Sequence, residues 1–315
     1  MALAKEMKIA FLNIYQGKVY RGAETFVYEL SKRLSKNHEV DVISEVNYLE
    51  IIKAKYDLII PTNGRLQVFL VRLITWLTGA KMVVSGQSGK GLDDRINLYA
   101  FPDAFVPIST QALRHSKGRN PFVKSVYIPN GVDLTKFGAA GKTYNSKLHR
   151  PIILTVGALV KSKRIDLIIK AVSRLSEANL LIVGDGEERQ SLEKLAGELI
   201  PGRFEFLRVK HENMPEIYRS ADLFALLPYS SEAFGIVYVE AMASGLPVIA
   251  SNDEQRREIV EEGGILVDHD SEPEEIAFAM SEALRRNWGN KPRKQAEKFD
   301  WDIIAKKYEK LLLEL

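Results

Sequence analysis

Short apolar runs alternate with segments of helical spacing through the first half of the chain. Continuous apolar runs are typical of buried parallel strands, and they predict strands at residues 8–14, 40–43, 58–61, 82–85, 104–108 and 125–129. Residues 23–34 repeat apolar side chains at helical spacing, and Ser109 is a suitable N-cap for a helix at 110–116. This βαβ succession predicts a parallel, doubly wound sheet.

The same pattern restarts at residue 151, after a polar stretch. The predicted strands are 152–156, 180–183, 204–207, 223–227, 248–250 and 264–267. The predicted helices are 164–175, 187–199, 273–286, 291–299 and 301–315. We therefore expect an N-terminal domain at 1–135, a linker at 136–150 and a C-terminal domain at 151–315, with the last helix able to pack back on the N-terminal domain. Two similar sheets that are joined once imply a cleft between them, where ligands of such folds bind.

One predicted helix, residues 66–77, is apolar on most of its circumference and is interrupted by Arg72. It is too short to span a bilayer, so it predicts a buried crossover helix, with a helix on a membrane surface as the alternative. The chain start has no pattern of a secretory signal. We expect a cytoplasmic protein, either free or at the cytoplasmic face of the membrane.

Composition removes several classes of function. The 315 residues include no cysteine, which excludes a disulfide scaffold, a cysteine nucleophile and thiolate metal sites. Residues 1–150 contain 22 Lys and Arg against 12 Asp and Glu, a net charge of +10, and the remainder carries −7. The basic half predicts an anionic partner such as a phosphorylated lipid, a membrane surface or an acidic glycan. Nucleic acid is disfavoured, because the basic residues are scattered and are not interleaved with aromatics on one element.

Two glutamates mark the second half. Glu240 stands among apolar residues of a predicted helix, where an ionised carboxylate is costly unless hydrogen bonds satisfy it. Glu232 comes just before the helix start, where free N–H groups and the helix dipole favour anions. Such an element offers amides to a phosphate and a carboxylate to ribose hydroxyls, as a sugar nucleotide requires. The alternative is a helix with a dipole partner at its start and a partly exposed glutamate inside.

Several motifs carry a resemblance to a known family. They are 232–251 (EAFGIVYVEAMASGLPVIAS), 156–166 (VGALVKSKRID), 181–187 (LIVGDGE), 128–133 (IPNGVD) and 21–24 (RGAE). Together they resemble the retaining glycosyltransferases of family 4, and the first stretch matches the family's E-x7-E element. The resemblance covers nearly the whole chain and is closest from residue 151 onward. It implies the GT-B fold, in which two Rossmann-like, doubly wound parallel-sheet domains face a cleft.

The resemblance also implies roles for individual residues. Glu240 would hold the ribose hydroxyls, Glu232 would face the hydroxyls of the transferred sugar, and Lys163 would neutralise the departing diphosphate. The amides of Phe234, Gly235 and Ile236 would cradle the distal phosphate. The other residues expected on the donor side are Gly22, Gly157, Gly184, Val209 and Lys210. A plain strand–helix turn is the alternative reading of Gly184.

The chain departs from the family pattern in three respects, one of which is that its first domain is compact for the family. Ala158 stands where an arginine often follows the glycine, so one bidentate phosphate donor is missing, and Arg164, Lys161 or Arg21 would have to replace it. A histidine often follows the fourth strand of the first domain, where this chain has Gln87. We assign Gln87, Arg21 and Asn130 to the acceptor and sugar side.

No metal or cofactor beyond the donor nucleotide is expected. The Asp-x-Asp pattern at residues 268–270 follows a terminal strand in a polar loop, and the five histidines show no ligand spacing. The glycine-rich stretch at 86–91 lacks the spacing and the Ser or Thr of a phosphate-binding P-loop.

These observations predict a metal-independent, retaining hexosyltransferase. It would move a hexose from UDP- or GDP-hexose to the hydroxyl of a glycan or a lipid-linked glycan by a same-face route, in which the leaving phosphate helps to deprotonate the acceptor. The alternatives are a sugar-nucleotide epimerase of the same fold and a non-catalytic subunit that binds a sugar nucleotide.

Overall fold

The computed structural model describes residues 6–18, 22–89, 91–229 and 232–315. The chain forms two compact units, Met1–Gly131 with Trp301–Leu315, and Val132–Asp300. It therefore passes from the first unit to the second at residue 132 and returns at residue 301. Residues 136–150, which were predicted as a linker, fall within the second unit. Residues 301–315, predicted as the end of the C-terminal domain with a helix able to pack back on the N-terminal domain, cluster with the first unit.

The described part of the first unit contains a five-stranded parallel sheet with the order β2-β1-β3-β4-β5. Its strands are β1 (Lys8–Leu12), β2 (Glu39–Ile43), β3 (Leu58–Pro61), β4 (Lys81–Gly86) and β5 (Ala104–Pro107). The predicted strand at 125–129 is wrong. This segment lies parallel to β5 and forms only an isolated bridge between Phe105 and Ser125. The amide of Ile128 still donates to the carbonyl of Pro107 at 3.2 Å, but Pro107 has no N–H to donate in return, so a second bridge is not completed.

Helices cover both faces of this sheet. They are α1 (Gly22–Leu34), α2 (Tyr48–Ala54), α3 (Leu66–Thr78), α4 (Leu92–Asn97), α5 (Thr110–Arg119) and the C-terminal helix (Trp301–Leu313). One core cluster joins the sheet to α1 and the C-terminal helix, and another joins it to α2 and α3. As predicted, the hydroxyl of Ser109 caps α5, accepting from the amide of Ala112 at 3.1 Å.

Helix α3 is buried on one side only, whereas its sequence predicts a buried crossover helix with a membrane-surface helix as the alternative. Val68, Val71 and Ile74 face the core. Opposite them, an exposed stripe is formed by Leu66, Phe69, Leu73, Trp76 and Leu77. Within the described ranges, no helix has both the length and the apolar character that are needed to span a membrane.

The second unit has a parallel sheet that comprises, among the described residues, six strands in the order β11-β10-β9-β6-β7-β8. The strands are β6 (Ile152–Val156), β7 (Asn179–Val183), β8 (Phe204–Leu207), β9 (Leu223–Leu226), β10 (Val248–Ser251) and β11 (Gly264–Val267). The strand order reverses between β6 and β9. In such sheets, ligands bind beyond the carboxyl ends of the strands at this switch point.

Seven α-helices accompany the sheet of the second unit among the described residues. They are α6 (Ile165–Ser173), α7 (Arg189–Leu199), α8 (Met214–Arg219), α9 (Ile236–Ala243), α10 (Glu254–Val260), α11 (Pro273–Arg285) and α12 (Lys291–Glu297). A core cluster joins α6, α7 and α11 to the sheet. The short helices α8 and α10 were not predicted individually, because six or seven residues carry too few turns for a clear helical period.

Two half-buried arginines hold residues 132–150 against the rest of the second unit. Arg293 Nη1 donates to the carbonyls of Phe137 and Ala243, both at 2.7 Å. Arg219 Nε donates to the carbonyl of Lys142 at 2.7 Å. These backbone contacts explain why a polar stretch is folded here, since its carbonyl groups are satisfied from neighbouring helices.

Candidate functional site in the second unit

The loops that follow β6 and β9 meet at the switch point of the second sheet. Lys163, in the first loop, forms an ion pair with Glu232, in the second. The amide of Tyr229 donates to the carbonyl of Ser162 at 2.9 Å, which joins the two backbones. The side chains of Lys163 and Glu232 are about one-fifth exposed, at 22% and 18%. A cation and an anion therefore stand together, partly accessible, where the fold places ligands.

The start of α9 lies beside this pair. Gly235 precedes the helix with φ = 82°, and a Cβ there would come within 2.6 Å of the Tyr238 ring. Both the left-handed backbone and the close ring require glycine. Among the described residues, no side chain caps this helix start. Its backbone N–H groups and the positive end of the helix dipole are therefore available to an anion.

The loop before α9 is held from α10. Arg256, only 1% exposed, donates from Nη1 to the carbonyl of Glu232 at 3.1 Å and pairs with Asp253 at 2.7 Å. Gln255 donates to the carbonyl of Ala233. Both side chains fix the backbone that carries Glu232. The sequence did not predict a role for Arg256 or Gln255, since a charged helix gives no signal that one of its arginines points inward.

Glu240 lies about one turn inside α9 and is 4% exposed. Its Oε2 accepts from the hydroxyl of Tyr218 at 2.8 Å, and its Oε1 lies 3.0 Å from Nε2 of His211. These contacts satisfy the buried carboxylate, as its apolar helix requires. A carboxylate has about four lone-pair positions, so each oxygen retains capacity for another donor. Burial, followed by the effect of Glu240, raises the pKa of Tyr218 well above its usual value, which keeps the phenol protonated as a donor.

Tyr218 and His211 were both missed as site residues. His211 directly follows Lys210, which the resemblance assigns to the nucleotide base, and Tyr218 lies on α8. The sequence indicated that the carboxylate of Glu240 needs hydrogen-bond donors if it is buried. Spacing along the chain did not identify which residues supply them. Val209 and Lys210 lie in the loop after β8, and Lys210 precedes a 3₁₀ turn at His211–Asn213.

The glycines of the loops after β6 and β7 allow close backbone packing. A Cβ on Gly184 would lie 1.9 Å from the carbonyl oxygen of Gly157, and one on Gly186 would lie 2.4 Å from that of Leu159. The amide of Leu159 donates to the carbonyl of Asp185 at 2.9 Å. Gly184 thus supports the loop that contains Gly157, while the alkyl chain of Lys163 passes within 3.9 Å of a Cβ built on Gly157.

Of the predicted replacements for an arginine at position 158, Arg164 has its contacts in the surrounding loops. Arg164 Nη1 donates to the carbonyl of His269 at 2.9 Å, and its guanidinium stacks on Tyr229 at 5.0 Å. Lys161 is exposed, and Arg21 lies outside the described residues. Arg164 is therefore engaged by the loops around the site rather than directed at the start of α9.

Two of the three residues predicted for the acceptor side, Gln87 and Asn130, meet each other in the first unit, and the third, Arg21, lies outside the described residues. Gln87 and Asn130 form a reciprocal amide pair, in which Asn130 Nδ2 donates to Gln87 Oε1 at 2.9 Å and Gln87 Nε2 lies 3.3 Å from Asn130 Oδ1. Gln87 Nε2 also donates to Ser85 Oγ at 2.8 Å. Gly22 is the first residue of α1.

No cluster of three or more His, Asp or Glu side chains that could hold a metal ion occurs among the described residues. Asp268 accepts a hydrogen bond from Asn252 at 2.6 Å, and the carbonyl of His269 accepts from Arg164. These two residues of the Asp-x-Asp stretch thus have contacts within the protein.

Comparison with known proteins relates the chain to sugar-transferring enzymes. An uncharacterized glycosyltransferase of Methanocaldococcus jannaschii is 37% identical over 169 residues, which cover 49% of this chain and 43% of the relative. Phosphatidyl-myo-inositol mannosyltransferase of Mycobacterium tuberculosis is 30% identical over 197 residues, covering 58% of this chain and 52% of the relative. The chain spans about half the length of these curated relatives.

Solved structures match over nearly the whole chain. The Anabaena protein HepE, crystallised with UDP and glucose, has a TM-score of 0.80 at 20% identity, covering 98% of this chain and all of HepE. WaaG, a glycosyltransferase of lipopolysaccharide biosynthesis, has a TM-score of 0.70 at 17% identity, covering 96% of this chain and 99% of WaaG. The two parallel-sheet units and these likenesses confirm the predicted GT-B fold.

A family model gives the assignment. The model described as glycosyl transferases group 1 matches residues 140–299, which is half of the chain and includes the loops after β6 and β9, all of α9 and both glutamates. The chain therefore belongs to the glycosyl transferases group 1 family.

Proposed function

We propose that the chain is a retaining hexosyltransferase that takes a hexose from UDP- or GDP-hexose and transfers it to an acceptor hydroxyl. The observation that carries the proposal is the combination around α9. Helix α9 has an uncapped start and a buried carboxylate about one turn inside, and a lysine from the loop after β6 stands at the switch point beside it. They match the phosphate, the leaving-group charge and the ribose of a sugar nucleotide.

In this proposal the donor's phosphates bind at the start of α9. The amides of Phe234, Gly235 and Ile236 would hold the distal phosphate, and Lys163 would move from Glu232 toward the phosphate oxygens. Glu232 would then be released to accept from hydroxyls of the transferred sugar. The pairing of Lys163 with Glu232 supports this exchange, since it keeps both charges balanced and close to the reacting position.

The nucleoside would lie on the other side of α9. Glu240 would accept from ribose hydroxyls while Tyr218 and His211 hold its carboxylate. The loop that contains Val209 and Lys210 would lie against the base. HepE, a protein of the same fold, was crystallised with UDP, which supports a nucleoside diphosphate as the leaving group.

The transfer step would follow a same-face route. The leaving diphosphate would help to deprotonate the acceptor hydroxyl, and the amides at α9 together with Lys163 would stabilise the charge that grows on it. These groups would supply the charge stabilisation without a metal ion. An enzyme freed of divalent ions by EDTA is therefore expected to keep its activity.

A glycan or lipid-linked glycan is the proposed acceptor, with Gln87 and Asn130 on the acceptor side. The names of several relatives indicate that they act on lipids, and one of them is the phosphatidyl-myo-inositol mannosyltransferase of Mycobacterium tuberculosis. The exposed apolar stripe on α3 and the basic first half of the chain also support contact with an anionic membrane surface at the cytoplasmic face.

The donor assignment is tested by binding and by mutation. Ligands that bind the native state raise its melting temperature, so we expect one nucleoside diphosphate or its hexose conjugate in a panel of UDP, GDP, ADP and dTDP compounds to do so. Glu240→Ala removes the acceptor for two hydroxyls, and its affinity for that nucleotide should fall about 30- to 100-fold, equivalent to about 2–3 kcal/mol.

The matched control is Glu212→Ala, which removes the same charge from an exposed residue next to His211. It should bind the nucleotide like the wild type. A folded Glu240→Ala variant with unchanged nucleotide affinity would contradict the role of this carboxylate. Conversion of the free donor to an epimer without any acceptor would contradict transfer and favour an epimerase.

A further inference from the structure

A lysine from the stretch predicted as a linker reaches the ribose-binding carboxylate through a histidine. Lys136 Nζ lies 3.1 Å from Nδ1 of His211, and Nε2 of the same ring lies 3.0 Å from Oε1 of Glu240. All three residues belong to the second unit. The side chains form a line from residue 136 to α9.

The chemistry of these groups decides where the histidine proton lies. A lysine ammonium has three donors and no acceptor, so it donates to Nδ1, and Nδ1 must be unprotonated. The remaining imidazole proton is then on Nε2, where it is donated to Glu240. Lys136 thus selects the tautomer in which His211 serves the carboxylate.

The line is also held in position mechanically. The Phe137 ring packs against the rings of His211 and Tyr218, each at 5.8 Å between centroids. Arg293 donates to the carbonyls of Phe137 at 2.7 Å and of Leu134 at 3.1 Å, and this fixes the backbone next to Lys136. The lysine therefore sits on an anchored turn and not on a free linker.

We propose that Lys136 and His211 are positioning residues for recognition of the donor ribose. The inference rests on the proposed function, in which Glu240 accepts from the ribose hydroxyls. The donors of Tyr218 and His211 each use one lone pair of the carboxylate, and the remaining lone pairs then have a defined direction toward two neighbouring hydroxyls. Without Lys136, the imidazole can instead carry its proton on Nδ1. An unprotonated nitrogen then faces the carboxylate of Glu240, and the two groups repel each other.

The test compares binding of UDP and GDP with binding of their 2′-deoxy counterparts, using whichever base the wild type prefers. Wild-type protein should bind the ribonucleotide at least about tenfold more tightly, because a buried acceptor left without its hydroxyl is costly. Lys136→Met should reduce this ratio about three- to tenfold. Affinity for inorganic pyrophosphate, which has no ribose, should change less than about twofold, a difference that a general loss of structure would not produce.

Two controls identify the route of the effect. Lys147→Met makes the same substitution at an exposed lysine of the same stretch and should keep the wild-type ratio. His211→Gln offers an amide donor that has no tautomers. Adding Lys136→Met to His211→Gln should therefore change the ratio little, and the double-mutant cycle should show coupling between the two positions.

The results of these measurements either support or overturn the positioning role of Lys136. An unchanged ribose-to-deoxyribose ratio in a folded Lys136→Met variant overturns the inference, and so does an equal loss in the wild-type and His211→Gln backgrounds. If Lys136→Met does not fold, Lys136→Gln is measured in its place, with the same criterion. If wild-type protein binds no nucleoside diphosphate, the proposed function fails and this inference fails with it.

Discussion

At the scale of single residues, buried charges define the chemistry of this protein. Glu240 remains buried in an apolar helix because Tyr218 and His211 donate to it. Glu232 and Lys163 balance each other at the switch point. The need for such partners could be predicted from the sequence at 232–245, because an isolated carboxylate in apolar surroundings is unstable. Their identity could not, since His211 and Tyr218 lie on other elements.

A second buried carboxylate, Asp94, should make the stability of the first unit depend on pH. Burial raises the pKa of Asp94 to about 7, although Ser88 hydrogen-bonds to it. Its ordinary pKa is 3.8, so between these two pH values the folded protein holds a proton that the unfolded chain has released. Stability from this group is thus complete at low pH and decreases as pH rises toward 7.

Asp94→Asn removes this titration, and urea unfolding at pH 5 and pH 8 measures the consequence. Over this interval the wild type should lose about 2–3 kcal/mol more of its free energy of unfolding than the variant does. Glu45→Gln, at an exposed carboxylate of the first unit, is the control and should follow the wild type. Equal pH dependence of wild type and Asp94→Asn would show that Asp94 does not carry the effect.

At the scale of elements, the apolar period of a helix and its burial are different properties. The sequence of α3 has apolar residues on most of its circumference, yet only the side with Val68, Val71 and Ile74 faces the core. The outer stripe with Leu73 and Trp76 is exposed. A single helix cannot show how many of its faces the fold covers, because this depends on neighbours that are distant in the chain.

The exposed stripe of α3 is expected to bind anionic membranes. Replacing Leu73 and Trp76 together by serine removes two large apolar side chains, and binding to vesicles with phosphatidylglycerol should weaken at least about tenfold in a sedimentation assay. Phe278→Ser, at an exposed phenylalanine of the second unit, is the control. If the double variant and the control sediment equally with these vesicles, α3 is not a membrane contact.

At the scale of the whole molecule, the chain crosses twice between its two units. The C-terminal helix completes the core of the first unit, where Trp301 packs against Phe26 at 6.3 Å between ring centroids. Folding of the first unit therefore needs residues from both ends of the sequence.

Family membership follows from the motifs of the second unit, and the fold follows from the likeness of the entire chain to solved structures.

Trp301→Ala should therefore destabilise the first unit selectively. Trp301 is 1% exposed, and loss of its ring leaves a cavity that should cost about 3–5 kcal/mol. Amide hydrogen exchange should accelerate in β1 to β5, while the strands of the second sheet keep their protection. Ile303→Ala, on the exposed side of the same helix, should leave both sheets protected. Faster exchange in the second sheet alone would contradict this division of the chain.

The sequence by itself determined most of the strands, the family and the two glutamates. Residues 58–61, 152–156, 204–207 and 264–267 are predicted with the observed bounds, because a buried parallel strand is written as one local apolar run. The motif at 232–251 likewise concentrates the start of α9 and its glutamates in one stretch. Local signals of this kind need no knowledge of the rest of the chain.

Only the tertiary structure decided which side chains complete the site. Lys136 comes from a stretch that was predicted as a linker, and Arg256 comes from a helix whose sequence is typical of a charged, exposed helix. The strand predicted at 125–129 fails because a proline in β5 cannot donate to it. These outcomes depend on atoms far apart in sequence that meet through packing, so the local pattern of apolar and polar residues carries no record of them.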